Sequence, residues 1–323
     1  KESVIVANAR LLLAEALVNQ EKWQDAVVEY DTVDTALASE LAVYGDRAKV
    51  KVSRAVALLN VGRVAEALAS AQYSLDWHTK AVGNKHFKTA MSRGVLAMIL
   101  ARNGNHEGAL DGFRQAIPIL LSRSRRSADE ETTQAAKTLR LQWILESYLE
   151  LLGTLPQTAA KTPGFDAAAE AFRIAQVARS GSVQTALAAS SARAAARDPD
   201  LAELVRREQD AQKQIAALYG LLTEARSVPT TQQDPGAVND LRTRIDRLRS
   251  ARGAIASEIS DRFPEYWDLI DPRPATIESA RSILQPNEAL ITTYVGSERT
   301  FVWAIPAVGP TAFSVAEFGD DAL

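Results

Sequence analysis

Three stretches of this chain set alanine in the same two columns, and that repetition restricts what the chain can build more than any other feature. Ala14, Ala55 and Ala97 each stand twelve residues before Ala26, Ala67 and Ala109, with Leu17, Leu58 and Leu100 nine residues before them. The second-column alanines are 41 and 42 residues apart, and four residues beyond each lies Tyr30, Ala71 or Phe113. A fourth segment, Phe165-Asp-Ala-Ala168, carries the second column alone, followed by Phe172. Small residues at two fixed positions let paired helices approach closely, while a large side chain one turn later fills the space between pairs. Such columns specify stacked helix pairs.

The pattern resembles the tetratricopeptide repeat. Its period exceeds the usual ~34 residues, which implies helices longer by about a turn, as in kinesin-light-chain-like repeats. HEAT and armadillo repeats share the period and stand as the alternative; the alanine and aromatic columns favour the tetratricopeptide reading. Between the third and fourth alanine the interval is 59 residues, and the excess falls in Ser122 to Glu131 and in Gly153 to Gly164. Both stretches read as polar surface connections. Arg123, Arg125 and Arg126 there read as solvated charge near a helix end, balanced by Asp129 to Glu131, with a phosphate or an acidic partner as the alternative.

After Arg179 the pattern changes. Asp198-Pro199 and Asp234-Pro235 each place an N-capping carboxylate before a proline at the first helical position, where its missing N–H costs nothing. Two long helices are predicted from there. Leu201, Leu204, Glu208, Ala211, Ile215, Leu218 and Leu222 in the first, and Val238, Leu241, Ile245, Leu248, Arg252, Ile255 and Ile259 in the second, recur at spacings of three and four, which makes heptad seams. Ser227 to Asp234 is long enough to reverse the chain, so an antiparallel hairpin is expected, with an intermolecular coiled coil as competitor. Glu208 and Arg252 interrupt the seams as polar positions that can fix register.

The end of the chain switches period again. Ala289 to Val295, Arg299 to Pro306 and Thr311 to Phe318 are short β-branched and aromatic runs separated by Gly296-Ser297 and Gly309-Pro310, which reads as a three-stranded meander. Three strands need a covering layer from more chain or from a partner. The stretch Pro264 to Pro306 resembles the entry into a CHAT domain, a caspase-like domain found behind tetratricopeptide repeats. Leu284, Pro286, Glu288, Ala289 and Leu290 match the family's strand-opening signature, and Phe301 and Trp303 match its aromatic second strand. Ser190 to Leu218 is similar to the helical segment that precedes such domains. The resemblance implies a caspase-like α/β fold whose catalytic His and Cys lie beyond these strands, so no residue of this chain is expected to cleave a substrate. A bacterial, cytoplasmic protein is expected. The start at Lys1 leaves room for an upstream segment or tag, or for an exported form whose signal peptide has been removed.

Chemistry within the chain is sparse. No cysteine occurs, which removes disulfides, thiolate metal sites and a cysteine nucleophile from these 323 residues. His78, His86 and His106 show no metal-ligand spacing, and no phosphate-binding glycine loop is present. No cofactor is expected. No apolar run is long enough to span a membrane, and a net charge of −3 gives no general reason to expect nucleic acid. Arg242, Arg244, Arg247, Arg249 and Arg252 form a basic stretch, but Asp240, Asp246, Glu258 and Asp261 are interspersed and no aromatic residues interleave, so a solvated coiled-coil flank is expected rather than a nucleic-acid surface.

The functional candidate is therefore the groove lined by the first helix of each pair, where tetratricopeptide arrays hold extended or helical partners. Projection from the alanine columns places Asn8, Glu15, Asn19, Lys49, Asn60, Met91, Met98 and Arg102 on it. The amides and cations can hold a peptide backbone or carboxylate, and the two methionines can offer an adaptable apolar patch, with burial between helices as the alternative for both. The expected architecture is mainly α. A tetratricopeptide-type α-solenoid (1–180) leads into a long antiparallel helical hairpin linker (181–275). A short β-meander (276–323) then begins an α/β caspase-like domain. Expected partners are a protein or peptide in the groove and the remaining caspase-like half, in cis or from another chain. The expected function is the recognition and regulatory region of a CHAT-type cysteine peptidase, and the rival is a non-catalytic scaffold that assembles a complex.

Overall fold

The structure, a computed structural model, describes residues 4–37, 46–124, 134–155, 161–162, 165–179, 198–227, 234–270 and 274–320. It is mainly helical with a small antiparallel three-stranded sheet near the C-terminus. The chain forms two compact units: residues 1–139 with 206–258, and residues 140–205 with 259–323. The fourth helix pair groups with the strands, and the hairpin is shared between the units.

In the first unit α1 (Val4–Asn19) pairs with α2 (Trp23–Leu37). After a short α3 (Asp46–Lys49), α4 (Val52–Asn60) pairs with α5 (Val64–Val82), and α6 (Phe87–Arg102) pairs with α7 (His106–Ser124). The alanines of both columns are fully buried, as are Tyr30, Ala71 and Phe113. Helices α6 and α7 approach closely enough that a Cβ on Gly112 would lie 2.9 Å from the Cβ of Ala97. The three turns within pairs are alike. Leu17, Leu58 and Leu100 accept a hydrogen bond from the N–H five residues on, of Lys22, Arg63 and Asn105. The residue before each donor, Glu21, Gly62 or Gly104, has positive φ. This is the helix-ending geometry that glycine adopts without cost and glutamate does not. Not every helix is extended by a turn: α5 and α7 have 19 residues each, whereas α4 has nine. The first helix of the second repeat is instead broken at Val50-Lys51, where the Val50 carbonyl accepts from the Ser74 hydroxyl of α5 at 2.9 Å.

The hairpin helices are α10 (Pro199–Ser227) and α11 (Pro235–Arg262). Asp198 caps the first through the N–H groups of Asp200 and Leu201, and Asp234 caps the second through those of Gly236 and Ala237. The two polar interruptions of the seams pair with each other: Arg252 Nε donates to Glu208 Oε1 at 2.6 Å, and Arg252 Nη2 reaches Gln212 Oε1 at 3.4 Å. This intrachain pairing makes the hairpin antiparallel. Within the first unit Ile215, Leu218, Tyr219, Leu222, Val238 and Ile245 form one apolar cluster with Ala81 and Val82 at the end of α5.

The second unit holds most of α8 (Gln134–Thr154), the short strands β1 (Lys161–Thr162) and β2 (Phe165–Asp166), and helix α9 (167–179). It also holds α12 (Pro264–Ile270), α13 (Ile277–Arg281), and strands β3 (Ala289–Val295), β4 (Thr300–Pro306) and β5 (Ala312–Ala316). The sheet order is β3-β4-β5, all antiparallel, with Thr292 opposite Trp303 and Trp303 opposite Phe313. Residues 125–133, 156–160 and 163–164, which hold the larger parts of the two predicted connections, lie outside the described residues, as do Arg125 and Arg126.

Candidate functional site: a protein-recognition surface on stacked helix pairs

The repeat columns bring three polar residues into one row. Asn19, Asn60 and Arg102 are the last residues of α1, α4 and α6, at equivalent positions in successive repeats. Arg102 Nη1 lies 3.5 Å from Asn60 Oδ1, a contact between residues 42 apart that joins the second and third repeats. The Asn60 amide nitrogen returns to the Val56 carbonyl at 2.9 Å, which fixes the side chain, and both Asn60 and Arg102 are exposed. A row of amides and a guanidinium at a spacing set by the stacked backbones offers donors and acceptors at regular intervals, the chemistry that holds an extended peptide.

The other residues projected onto the groove divide by contact. Lys49 and Asn8 are half-buried. Glu15, also half-buried, is tied into the array: its carboxylate accepts from Ser53 Oγ at 2.8 Å and from the Tyr30 hydroxyl at 3.4 Å, so it links α1 to α2 and α4. Met91 and Met98 are each 6% exposed and lie in the core, which is the second of the two readings their spacing allowed.

Sequence reasoning passed over the polar links between repeats. Arg54 reaches back from α4 to Asp34 at 2.6 Å and to Asp31 at 3.6 Å on α2. Arg63 holds Asp31 at 2.7 Å and forms a two-pronged pair with Glu66; Glu66 and Asp31 raise its pKa above the usual guanidinium value, and the Arg63 guanidinium in turn lowers the pKa of Glu66. Between α5 and α6, Ser74, His78 and Ser92 form a buried network with Ser92 Oγ 2.9 Å from both Ser74 Oγ and His78 Nδ1. Serine and histidine in contact suggest a nucleophile and base, but burial of all three side chains leaves a substrate no access, and the network fixes helix register instead. The signal available in the sequence was polar residues on otherwise apolar columns.

His86, Arg242, Arg249 and Arg252 are engaged in contacts within the first unit. His86 caps α6 by accepting from the Lys88 N–H at 3.1 Å, and its ring packs 4.0 Å from that of Tyr219. His106 opens α7. Among the hairpin arginines, Arg242 donates to the Lys80 carbonyl at 2.6 Å, Arg249 lies over the Tyr219 ring, and Arg252 holds Glu208. Among the described residues no cluster of three or more His, Asp and Glu is arranged to hold a metal ion. No helix among them is long and apolar enough to cross a membrane.

In the second unit the sheet's inner face is covered by the fourth helix pair. Trp303 is fully buried, donates its indole N–H to the Ala168 carbonyl at 3.1 Å, stacks on Phe313 and meets Phe172 edge-on. Tyr294 donates to Glu146 Oε1 at 3.0 Å; its burial, then the charge of Glu146, push the phenol pKa well above its usual value. Arg299 pairs with Glu150, and a Cβ on Gly153 would collide with Val315. The covering layer that three strands require thus comes from this chain. Near α13 a cleft of about 270 Å³ is lined by Phe165, Asp166, Glu170, Arg173, Thr276 and Glu278. Four of its polar groups are already engaged: Asp166 caps α9, Thr276 caps α13, and Arg173 pairs with Glu170.

Residues 46–122 match the family model of the tetratricopeptide repeat. The match spans α3 to α7, the second and third repeats of the array. No curated protein and no solved structure matches the chain. Tetratricopeptide repeats imply protein–protein interaction or a scaffolding role, and that is the class of function this region defines.

Proposed function

We propose that the chain recognises a protein or peptide along the first helices of its repeats, through Asn8, Asn19, Lys49, Asn60 and Arg102, as the regulatory region of a CHAT-type cysteine peptidase. The row of Asn19, Asn60 and Arg102 carries the recognition half of this reading, because it repeats at the period of the fold and faces outward at Asn60 and Arg102. Glu15 and the two methionines then support the surface from within. The peptidase half is supported by the match of Leu284, Pro286, Glu288, Ala289 and Leu290 to the CHAT strand-opening signature, and by the aromatic second strand with Phe301 and Trp303. In this reading a bound partner alters the curvature of the repeats and the hairpin relays that change to the sheet.

The alternative is a non-catalytic scaffold that assembles a complex, which the repeat match over residues 46–122 supports equally. Two measurements test these readings. Lys49→Ala with Arg102→Ala should weaken partner binding about a hundredfold if each cation makes one charge-assisted hydrogen bond worth about 1.5 kcal/mol; unchanged affinity removes the groove assignment. Sequencing the native polypeptide past the meander tests the rest. A His and a Cys there, with partner-dependent cleavage of a peptide library, upholds the peptidase reading, and their absence leaves the scaffold.

A further inference from the structure

Helix α1 is apolar on two opposite faces. Ala7, Leu11, Ala14 and Val18 are buried on one side, as expected of a helix that packs on α2 and α4. About half a turn of the helix away lie Ala9, Leu12, Leu13 and Ala16, with Leu12 73% exposed and Leu13 48% exposed. A helix apolar all round is ordinarily covered all round.

The repeat columns identify what covers this second face elsewhere. The shared turns put Leu12 in register with Ser53 and Val95, Leu13 with Arg54, Ala16 with Ala57 and Ile99, and Ala9 with Ser92. In the second and third repeats these are the positions that meet the preceding helix pair. Ser53 donates to Glu15 on α1, Arg54 pairs with Asp34 on α2, and Ser92 joins Ser74 and His78 on α5. Val95 and Ile99 are 1% and 0% exposed. The outward face of α1 therefore continues an interface that the array uses twice already, with leucine and alanine in place of the serines and arginine.

We propose that this face is a stacking surface for one further helix pair, carried by the native polypeptide immediately ahead of Lys1 and presenting an apolar side of its second helix to Ala9, Leu12, Leu13 and Ala16. A source in the same chain follows from the size of the contact. A separate protein needs about 800 Å² on each partner for stable association, which four small and medium side chains on one helix do not supply. A pair joined by a short connection acts at an effective concentration in the millimolar range, where such a face suffices. The second and third pairs are joined in that way: α5 and α6 are separated only by Gly83 to His86. Repeat arrays require this kind of coverage, since an inner repeat leaves apolar surface in water unless a neighbour or a polar cap follows it. This inference stands apart from the recognition surface, and its failure would leave that reading intact.

The test compares hydrogen exchange of the α1 amides in the native polypeptide, isolated with its own N-terminus, and in the 323-residue chain, each with and without Leu12→Glu and Leu13→Glu. The expected result is at least tenfold stronger protection of α1 in the native polypeptide, lost in the double variant, while the variant leaves the 323-residue chain unchanged in helicity and melting temperature. Equal protection in both proteins overturns the proposal, as does a native N-terminus at Lys1. Sedimentation gives the third arm: a dimer of the 323-residue chain that the double variant dissociates would assign the face to a second copy and overturn it as well.

Discussion

Replacing Glu208 with alanine should destabilise the first unit by about 3 kcal/mol. The pair it breaks is short, 2.6 Å between Arg252 Nε and Glu208 Oε1, and its side chains retain 13% and 16% of their exposure. Removing one partner of a buried ion pair costs about 3–5 kcal/mol, because the remaining charge stays desolvated. The lower end applies here, since Gln212 keeps a hydrogen bond to the guanidinium at 3.4 Å and some water reaches it. Replacing both partners with methionine should bring the unit back to within about 1 kcal/mol of the parent, because no stranded charge remains and the seam becomes continuous. For a unit of this size 3 kcal/mol corresponds to a drop of about 6–12 °C in melting temperature. Calorimetry and helical circular dichroism on Glu208→Ala, Arg252→Met and the double Met variant measure this directly. The reasoning is refuted if Glu208→Ala lies within about 0.5 kcal/mol of the parent, or if the double variant is less stable than both single ones. Midpoints that rise with protein concentration would refute the intrachain hairpin itself.

Three smaller tests bear on the helix pairs and the sheet. Glu21 occupies a turn position that is glycine in the next two repeats, and a non-glycine residue there costs about 1–2 kcal/mol, so Glu21→Gly should raise the melting temperature of the first unit; no change would contradict the common turn. Gly112→Ala should lower stability by about 1 kcal/mol in chemical denaturation, since a 2.9 Å approach to Ala97 must be relieved at a cost larger than the gain in helix propensity. The raised pKa of Tyr294 means that its contribution is whole below pH ~10, the ordinary tyrosine value, and is lost as the pH climbs through the folded value. The urea midpoint of the second unit should therefore fall more steeply above pH 10 in the parent than in Tyr294→Phe; identical slopes would contradict that assignment.

Much of the helix pairing was legible because the close approach of two helices demands small residues at fixed columns, as Ala14 with Ala26 and Ala97 with Ala109 provide. The hairpin was legible for a similar reason: Asp198, Asp234 and the two seams are local signals. Glu208 and Arg252 were visible as interruptions, but their pairing depends on a register that only the folded hairpin sets. Met91 and Met98 could not be placed, because periodicity shows that a face is apolar and not whether a neighbour covers it. The break of the second repeat's first helix at Val50-Lys51 has no proline or glycine to announce it. The packing of the sheet on the fourth helix pair rests on contacts such as Trp303 with Ala168 and Tyr294 with Glu146, whose partners lie 135 and 148 residues apart. Strand patterning locates Trp303 on an inner face without saying what lies beneath it.

The recognition surface is tested most directly by site-specific photocrosslinking with one crosslinking residue at Asn60, in the polar row, and one at Glu107, exposed at the opening of α7. Crosslinks to a discrete partner from Asn60, reduced by Lys49→Ala with Arg102→Ala and not obtained from Glu107, are the predicted result. Equal crosslinking from both positions, or crosslinks from Glu107 alone, would contradict recognition along the first helices of the repeats.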